Sequence, residues 1–177
     1  MVPILETRRL RLRAFEACDL HPHSAALADP RVYRHLGGVP LSREDAWRKL
    51  LTGPGMWALV GYGYWAVERK EDGAFIGQIG FADFKRDMTP AIEGLPEMGW
   101  VFVADAHGQG YAGEAAAAAL TWADKALVGE EIVAIIDAAN APSIRIAEKS
   151  GFSLREQASY KGEPILLFRR PGPTVTG

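Results

Sequence analysis

The stretch from His107 to Ala115, HGQGYAGEA, sets Gly108, Gly110 and Gly113 at the entrance to an alanine-rich run. Glycines at a helix start remove the Cβ atoms that would hold an anion away from the main chain. The first-turn amides have no partner inside the helix, and the helix dipole adds partial positive charge there. The expected chemistry is phosphate binding by backbone donors. A Walker-type loop is excluded, because it ends in Gly-Lys-Ser or Gly-Lys-Thr and Gly113 is followed by Glu114. A dinucleotide fingerprint has the right glycine spacing, with Asp137 where a ribose-binding acid could stand. That fingerprint belongs to a first strand-helix unit with several parallel units after it, and little chain follows Asp137. The connection from Val103 to Gly108 is also too long for it. An acyl-CoA diphosphate needs neither metal nor lysine, and Ala112 keeps the approach open.

Other reactive residue types are sparse. Cys18 is the single cysteine, which rules out an internal disulfide and a cysteine metal cage. His21, His23, His35 and His107 form no HExxH pair, and His21 and His23, flanking Pro22, read as solvated loop residues. A formal charge of −2 gives no broad basic field, so nucleic acid is not an expected partner. The opening MVPILETRRLRLR is broken by arginines too early for a signal peptide, and no segment has the length of a membrane span. The expectation is a cytoplasmic protein with no membrane partner, either a monomer or a homodimer. With 48% apolar residues in 177, one domain over residues 1–170 and a loose tail over 171–177 are expected.

The elements that carry these residues follow from periodicity. Leu10, Leu12 and Ala14 alternate with Arg9, Arg11 and Arg13, a half-buried strand with its charges on the open face. Phe15 to Leu27 reads as helix, and a second helix starts at Ser42 and stops by Gly53-Pro54-Gly55. A hairpin turns at Lys70-Glu-Asp-Gly73, and its return strand, Ala74 to Phe81, holds Gly77 and Gly80 where a bulge or close approach is expected. Phe84 to Pro96 is a polar loop with a slightly acidic cast from Asp83, Asp87, Glu93 and Glu97. A strand from Glu97 to Val103, a helix from Gly110 to Ala126, a strand from Ile132 to Ile136, a helix from Pro142 to Lys149 and a final hairpin complete a mixed α/β chain. Tyr62, Tyr64, Trp65 and Phe81 read mostly as core, with one or two walling an acceptor pocket, and Trp47, Trp57, Trp100 and Trp122 as packing.

Three motifs together resemble the GNAT superfamily of acyl-CoA-dependent N-acetyltransferases. His107-Gly-Gln-Gly110-Tyr-Ala112 is similar to its Gln/Arg-x-x-Gly-x-Gly/Ala signature, with histidine in first place. LETRRLRLR, Leu5 to Arg13, resembles the opening strand of the branch that contains ribosomal-protein N-terminal acetyltransferases. Asn140-Ala-Pro-Ser143 and Lys149-Ser-Gly151-Phe152 resemble that branch's Asn-x-x-Ser helix and its Lys-x-Gly-Phe ending. The resemblance implies a twisted, mostly antiparallel sheet splayed between its fourth and fifth strands and flanked by helices. It implies acetyl-CoA as cofactor, with pantetheine along Trp100, Val101, Phe102 and Val103. Pyrophosphate would lie over His107, Gly108, Gln109, Gly110, Tyr111 and Ala112, with Asn140 on the amide arm and Ser143 near the thiol.

Acetyl transfer by direct attack needs a neutral amine and a proton for the leaving thiolate. At pH 7 roughly one α-amine in ten is neutral, against about one lysine in several thousand, so a modest base serves an N-terminus. Glu97, opening the strand that would carry the cofactor, is the expected base, acting directly or through water. Ser143, or less favourably Tyr160, is the expected acid. Asn140 is also an ordinary helix cap, which is compatible with a cofactor contact. The expected acceptor is the N-terminal amine of a peptide or protein, ribosomal or other. The rivals are a small-molecule amine (polyamine, aminoglycoside or amino acid) and a catalytically silent acyl-CoA-binding module.

Overall fold

The computed structural model describes residues 1–173; the last four residues of the expected tail, 174–177, lie outside the described residues. Nine strands form one sheet among these residues: β1 (Leu5–Glu6), β2 (Leu10–Arg13), β3 (Tyr64–Arg69), β4 (Ala74–Ala82), β5 (Met88–Thr89), β6 (Glu97–Phe102), β7 (Ile132–Ile136), β8 (Ser153–Tyr160) and β9 (Glu163–Arg170). Their spatial order is β1-β2-β3-β4-β6-β7-β9-β8-β5. Every neighbouring pair is antiparallel except β6 and β7. The helices are α1 (Leu20–Ala28), α2 (Pro30–Tyr33), α3 (Arg43–Leu59), α4 (Tyr111–Ala126) and α5 (Ala141–Lys149). None is long and apolar enough to cross a membrane.

The alternation in β2 does what its pattern predicts. Leu10 and Leu12 are buried and Arg11 is exposed. Arg13 is not simply on an open face, since it pairs with Asp19 and Glu68 at 2.8 Å each. On α4, Tyr111, Ala115, Ala116, Ala119, Leu120 and Ala123 form the buried stripe. Short alanines let this helix lie close to the sheet, at little cost in side-chain entropy.

Two expected boundaries are corrected. Helix α3 does not stop at Gly53-Pro54-Gly55 but runs to Leu59. Pro54 removes one helical hydrogen bond, a cost tertiary packing can offset. Beyond it, Trp57 lies edge-on to Trp65 at 4.9 Å and to Trp122 at 5.2 Å, and its Nε1 donates to the Tyr64 carbonyl at 3.2 Å. The loop from Phe84 to Pro96 is not wholly irregular. Its Met88–Thr89 pairs with Tyr160 and Ser159 of β8, which brings the loop against the β8–β9 turn. A third correction concerns His21 and His23, which lie in α1 rather than a loop, with His23 only 2% exposed.

Glycines at two register positions let one tyrosine lie across the sheet. Tyr64 pairs with Gly80, and Gly80 pairs with Gly99. A Cβ on Gly80 would stand 2.5 Å from the Tyr64 Cα, and one on Gly99 would stand 2.2 Å from the Tyr64 hydroxyl. The expected close approach at Gly80 is therefore found. At Gly77 a Cβ would meet the Val101 carbonyl at 2.6 Å, and the β3–β4 register shifts beside it, between Val67 and Glu68.

Candidate active site

Strands β6 and β7 share a single register pair, Glu97 with Val133, next to a bond from the Val133 amide to the Pro96 carbonyl at 3.0 Å. Past that point they part. The far edge of β6 is paired with β4 from Glu97 to Phe102, and the far edge of β7 is paired with β9 along its whole length. The facing edges therefore present main-chain donors and acceptors without ladder partners. These are the strands expected to splay, the fourth and fifth of the sequence reading. Trp100, Val101 and Phe102 belong to the part of β6 that has left β7, whereas the expected contact at Val103 is corrected, because its amide donates to the Ile76 carbonyl at 2.9 Å on the β4 side.

The glycine loop follows β6. A 3-10 turn over Ala104–Ala106 supplies the extra length that separates this connection from a dinucleotide fingerprint. His107 Nε2 lies 3.0 Å from the Phe102 carbonyl, so that nitrogen donates there and the ring braces the loop. Gly108 and Gly110 have φ of +74° and +79°, in the left-handed region where a Cβ is strained. Their glycine character is thus set by the backbone as well as by room for an anion. The first helical bond of the region runs from the Glu114 amide to the Gly110 carbonyl at 3.1 Å, so the amides of Tyr111, Ala112 and Gly113 belong to the unpaired first turn. A Cβ on Gly113 would meet nothing within 4 Å. In a dinucleotide fold the third glycine is needed for close helix–strand packing, so this one does not do that job. Asp137, the potential ribose acid, is engaged locally: it accepts from the Ala139 amide at 2.9 Å and lies 3.0 Å from His35 Nδ1.

A clamp behind the loop was not legible from the arginine pattern. The Glu114 carboxylate accepts from Thr7 Oγ1 at 2.6 Å, the Arg9 amide at 2.9 Å and Arg9 Nε at 2.6 Å. Burial alone would raise the Glu114 pKa, but these donors together hold it below the ordinary range. Arg9 Nη1 also donates to the Gln109 carbonyl at 2.9 Å, and its guanidinium lies over the Tyr111 ring. Turning the Gln109 carbonyl toward Arg9 keeps that negative dipole on the arginine.

Across the opening, Asn140 caps α5 by accepting from the Ser143 amide at 3.2 Å. Trp100 Nε1 donates to Ser143 Oγ at 3.2 Å, joining β6 to the start of α5. Trp100 therefore does more than pack. A hydroxyl that accepts through its oxygen keeps its own proton to donate elsewhere.

Glu97 is not a surface carboxylate. It is 4% exposed and held bidentately by Arg86, with Nε to Oε2 at 2.6 Å and Nη2 to Oε1 at 2.9 Å. Arg86 lies between the rings of Phe84 at 4.7 Å and Tyr160 at 4.8 Å. Burial pushes the Tyr64 hydroxyl pKa up, and the charge of Glu97 adds to this, so Tyr64 stays a neutral donor over Gly99. Of the hairpin aromatics, Phe81 pairs with Met98 of β6 and is fully buried, while Tyr64 reaches across from β3 to set its hydroxyl over Gly99. Tyr160 sits against Arg86 rather than across the opening with Ser143. The acidic cast expected of the loop is offset only in part, because Lys85 pairs with Asp83 at 2.7 Å and Glu93 at 3.3 Å while Arg86 pairs with Glu97. Lys85 and Arg86 stand beside these acids in sequence, but only the fold aims them back.

Residues 9–153 match the family model described as an acetyltransferase (GNAT) domain. The uncharacterized protein YkkB of Bacillus subtilis is 30% identical over 173 residues, covering 94% of each chain. The crystal structure of an acetyltransferase from Agrobacterium tumefaciens str. C58 superimposes with a TM-score of 0.80 at 29% identity, covering 96% of this chain and 94% of that one. RimL, a ribosomal L7/L12 alpha-N-protein acetyltransferase in complex with coenzyme A, shares the fold with a TM-score of 0.75 at 16% identity, covering 96% and 98%.

Proposed function

Because the chain belongs to the GNAT acetyltransferase family, we propose that this N-acetyltransferase moves the acetyl group of acetyl-CoA to the α-amine of a peptide or protein by direct attack. The observation that carries the reading is the opening between β6 and β7, which leaves a free strand edge leading to a glycine loop with unpaired amides. The fold likeness to RimL, which holds coenzyme A and acts on a protein α-amine, supports both halves of it.

In this reading the amides from Gly108 to Ala112 hold the diphosphate, with His107 and Gln109 shaping the loop. The free edge of β6 from Trp100 to Phe102 pairs with the pantetheine amides, and Asn140 adds a contact from the other side. The acceptor nitrogen forms a bond to the acetyl carbon and the carbon–sulfur bond breaks. Ser143 gives its proton to the departing sulfur, and Glu97 receives the proton shed by the amine, directly or through water. Arg86 holds both carboxylate oxygens of Glu97, and an α-amine asks little of its base, since holding it neutral at pH 7 costs only about 1.4 kcal/mol.

A small-molecule amine is the second reading, favoured by a cleft of about 390 Å³ near Glu97, a size that holds an amino acid. The test is coenzyme A release over peptide N-termini, lysine peptides, polyamines, aminoglycosides and amino acids. Turnover on peptide α-amines is expected. Acetyl-CoA binding without turnover on any amine would instead identify a silent binding module.

A further inference from the structure

Glu97 and Phe102 stand at opposite ends of β6, about 17 Å apart at the rise of a strand. The glycine loop lies beyond Phe102. At the Glu97 end, the 390 Å³ cleft is walled by four cationic side chains, Lys49, Lys85, Arg86 and Lys161, against one carboxylate, Asp87. Phe84 and Tyr160 complete the wall and hold the Arg86 guanidinium between their rings. The acids that pair with Lys85 and Arg86, namely Asp83, Glu93 and Glu97, do not line this cleft. Lys49 and Lys161 have no ion-pair partner among the described residues.

The backbone points to the same wall. Among the described residues, Lys85 at φ +51° and Lys161 at φ +53° are the two non-glycine residues in the left-handed region, and both line this cleft. That conformation costs an ordinary side chain about 1–2 kcal/mol. In the Lys161-Gly162 hairpin turn, asparagine would fit at lower cost. Strain of this kind concentrates at functional sites.

We propose that this cleft binds an anionic group of the acceptor, a carboxylate close to the attacking amine. The preferred substrates are then α-amines carried by acidic molecules, either a free dicarboxylic amino acid or a peptide that begins with an acidic residue. The inference rests on the transferase reading above and narrows its substrate class. Cationic acceptors such as polyamines are repelled by the same wall. The cations also favour the neutral, nucleophilic form of the incoming amine, as like charges do.

The experiment measures kcat and KM with acetyl-CoA for matched acceptors. L-glutamate is compared with glutamic diamide, an Asp-Ala-Ala amide peptide with its Asn counterpart, and spermidine is added. In at least one pair the anionic member should be favoured about tenfold or more through KM, and the pair that responds identifies the source of the carboxylate. Lys49→Gln combined with Lys161→Asn, which keeps the turn, should erase most of that preference and leave acetyl-CoA affinity by calorimetry unchanged. Equal or better turnover of the neutral members or of spermidine overturns the anionic cleft and leaves the transferase standing. So does a preference that survives the double substitution. Acetyl-CoA binding with no turnover on any amine overturns the transferase reading, and this inference with it.

Discussion

His23 gives the fold a calculable weakness to acid. The ring is 2% exposed, lies edge-on to Phe15 at 6.0 Å and to Phe75 at 6.2 Å, and its Nε2 has no hydrogen-bond partner. Burial, and then the charge of Lys49, push its pKa down from 6.5 to about 4, against a smaller pull upward from Asp19 and the Ala46 backbone. Above pH 6.5 the ring is neutral in both folded and unfolded chains, and stability is unaffected. Between 6.5 and about 4 only the unfolded chain takes the proton, so stability falls as pH falls; below about 4 the loss saturates. The full loss is about 3 kcal/mol, with about 2 kcal/mol reached at pH 5. Urea unfolding of the wild type and of His23→Leu, near pH 7.5 and near pH 5, isolates this contribution because the other titrations cancel between the two proteins. Leucine, with nothing to protonate, should gain about 2 kcal/mol on the wild type over that interval. A stability difference that does not change between the two pH values would refute the reasoning.

Gly110→Val forces a β-branched residue to φ +79° and should weaken acetyl-CoA binding at least tenfold by calorimetry, while Gly113→Ala, in open space, should leave it unchanged. Glu114→Ala strips the acceptor from three donors and should cost about 2–3 kcal/mol in urea unfolding and loosen the cofactor loop. Glu97→Gln should lower turnover most at neutral pH and spare acetyl-CoA affinity; equal rates from pH 6 to 9 would remove it as the base. The same change leaves the Arg86 charge without its partner, so a drop of about 3 kcal/mol in stability should accompany it.

The elements that carry the chemistry were legible because local rules act on them directly. The alternation at Leu10 and Leu12, the Ser42 cap, the Asp72-Gly73 turn and the alanine stripe of α4 each express a periodicity or a cap. The glycine loop was legible too, although its glycines turn out to answer a positive φ as well as an anion. What stayed hidden depends on contacts between segments far apart in sequence. Thr7 and Arg9 meet Glu114 across more than a hundred residues, and Trp100 meets Ser143 only because α5 starts beside the open edge of β6. Arg86 was hidden differently. It lies eleven residues from Glu97, in a loop that reads as irregular, and is folded back by a two-residue strand too short to show a pattern. The two prolines differ: packing carries α3 through Pro54, whereas Pro22 stands in the first turn of α1, where its missing N–H has no helical partner to lose.

The most direct test is a crystal structure with acetyl-CoA bound. The diphosphate should rest on the amides from Gly108 to Ala112, and the thioester should lie in the opening between β6 and β7, within reach of Ser143 and on the Glu97 side of the strand. Acetyl-CoA seated elsewhere, or β6 and β7 hydrogen-bonded along their full length with the ligand present, would contradict the account.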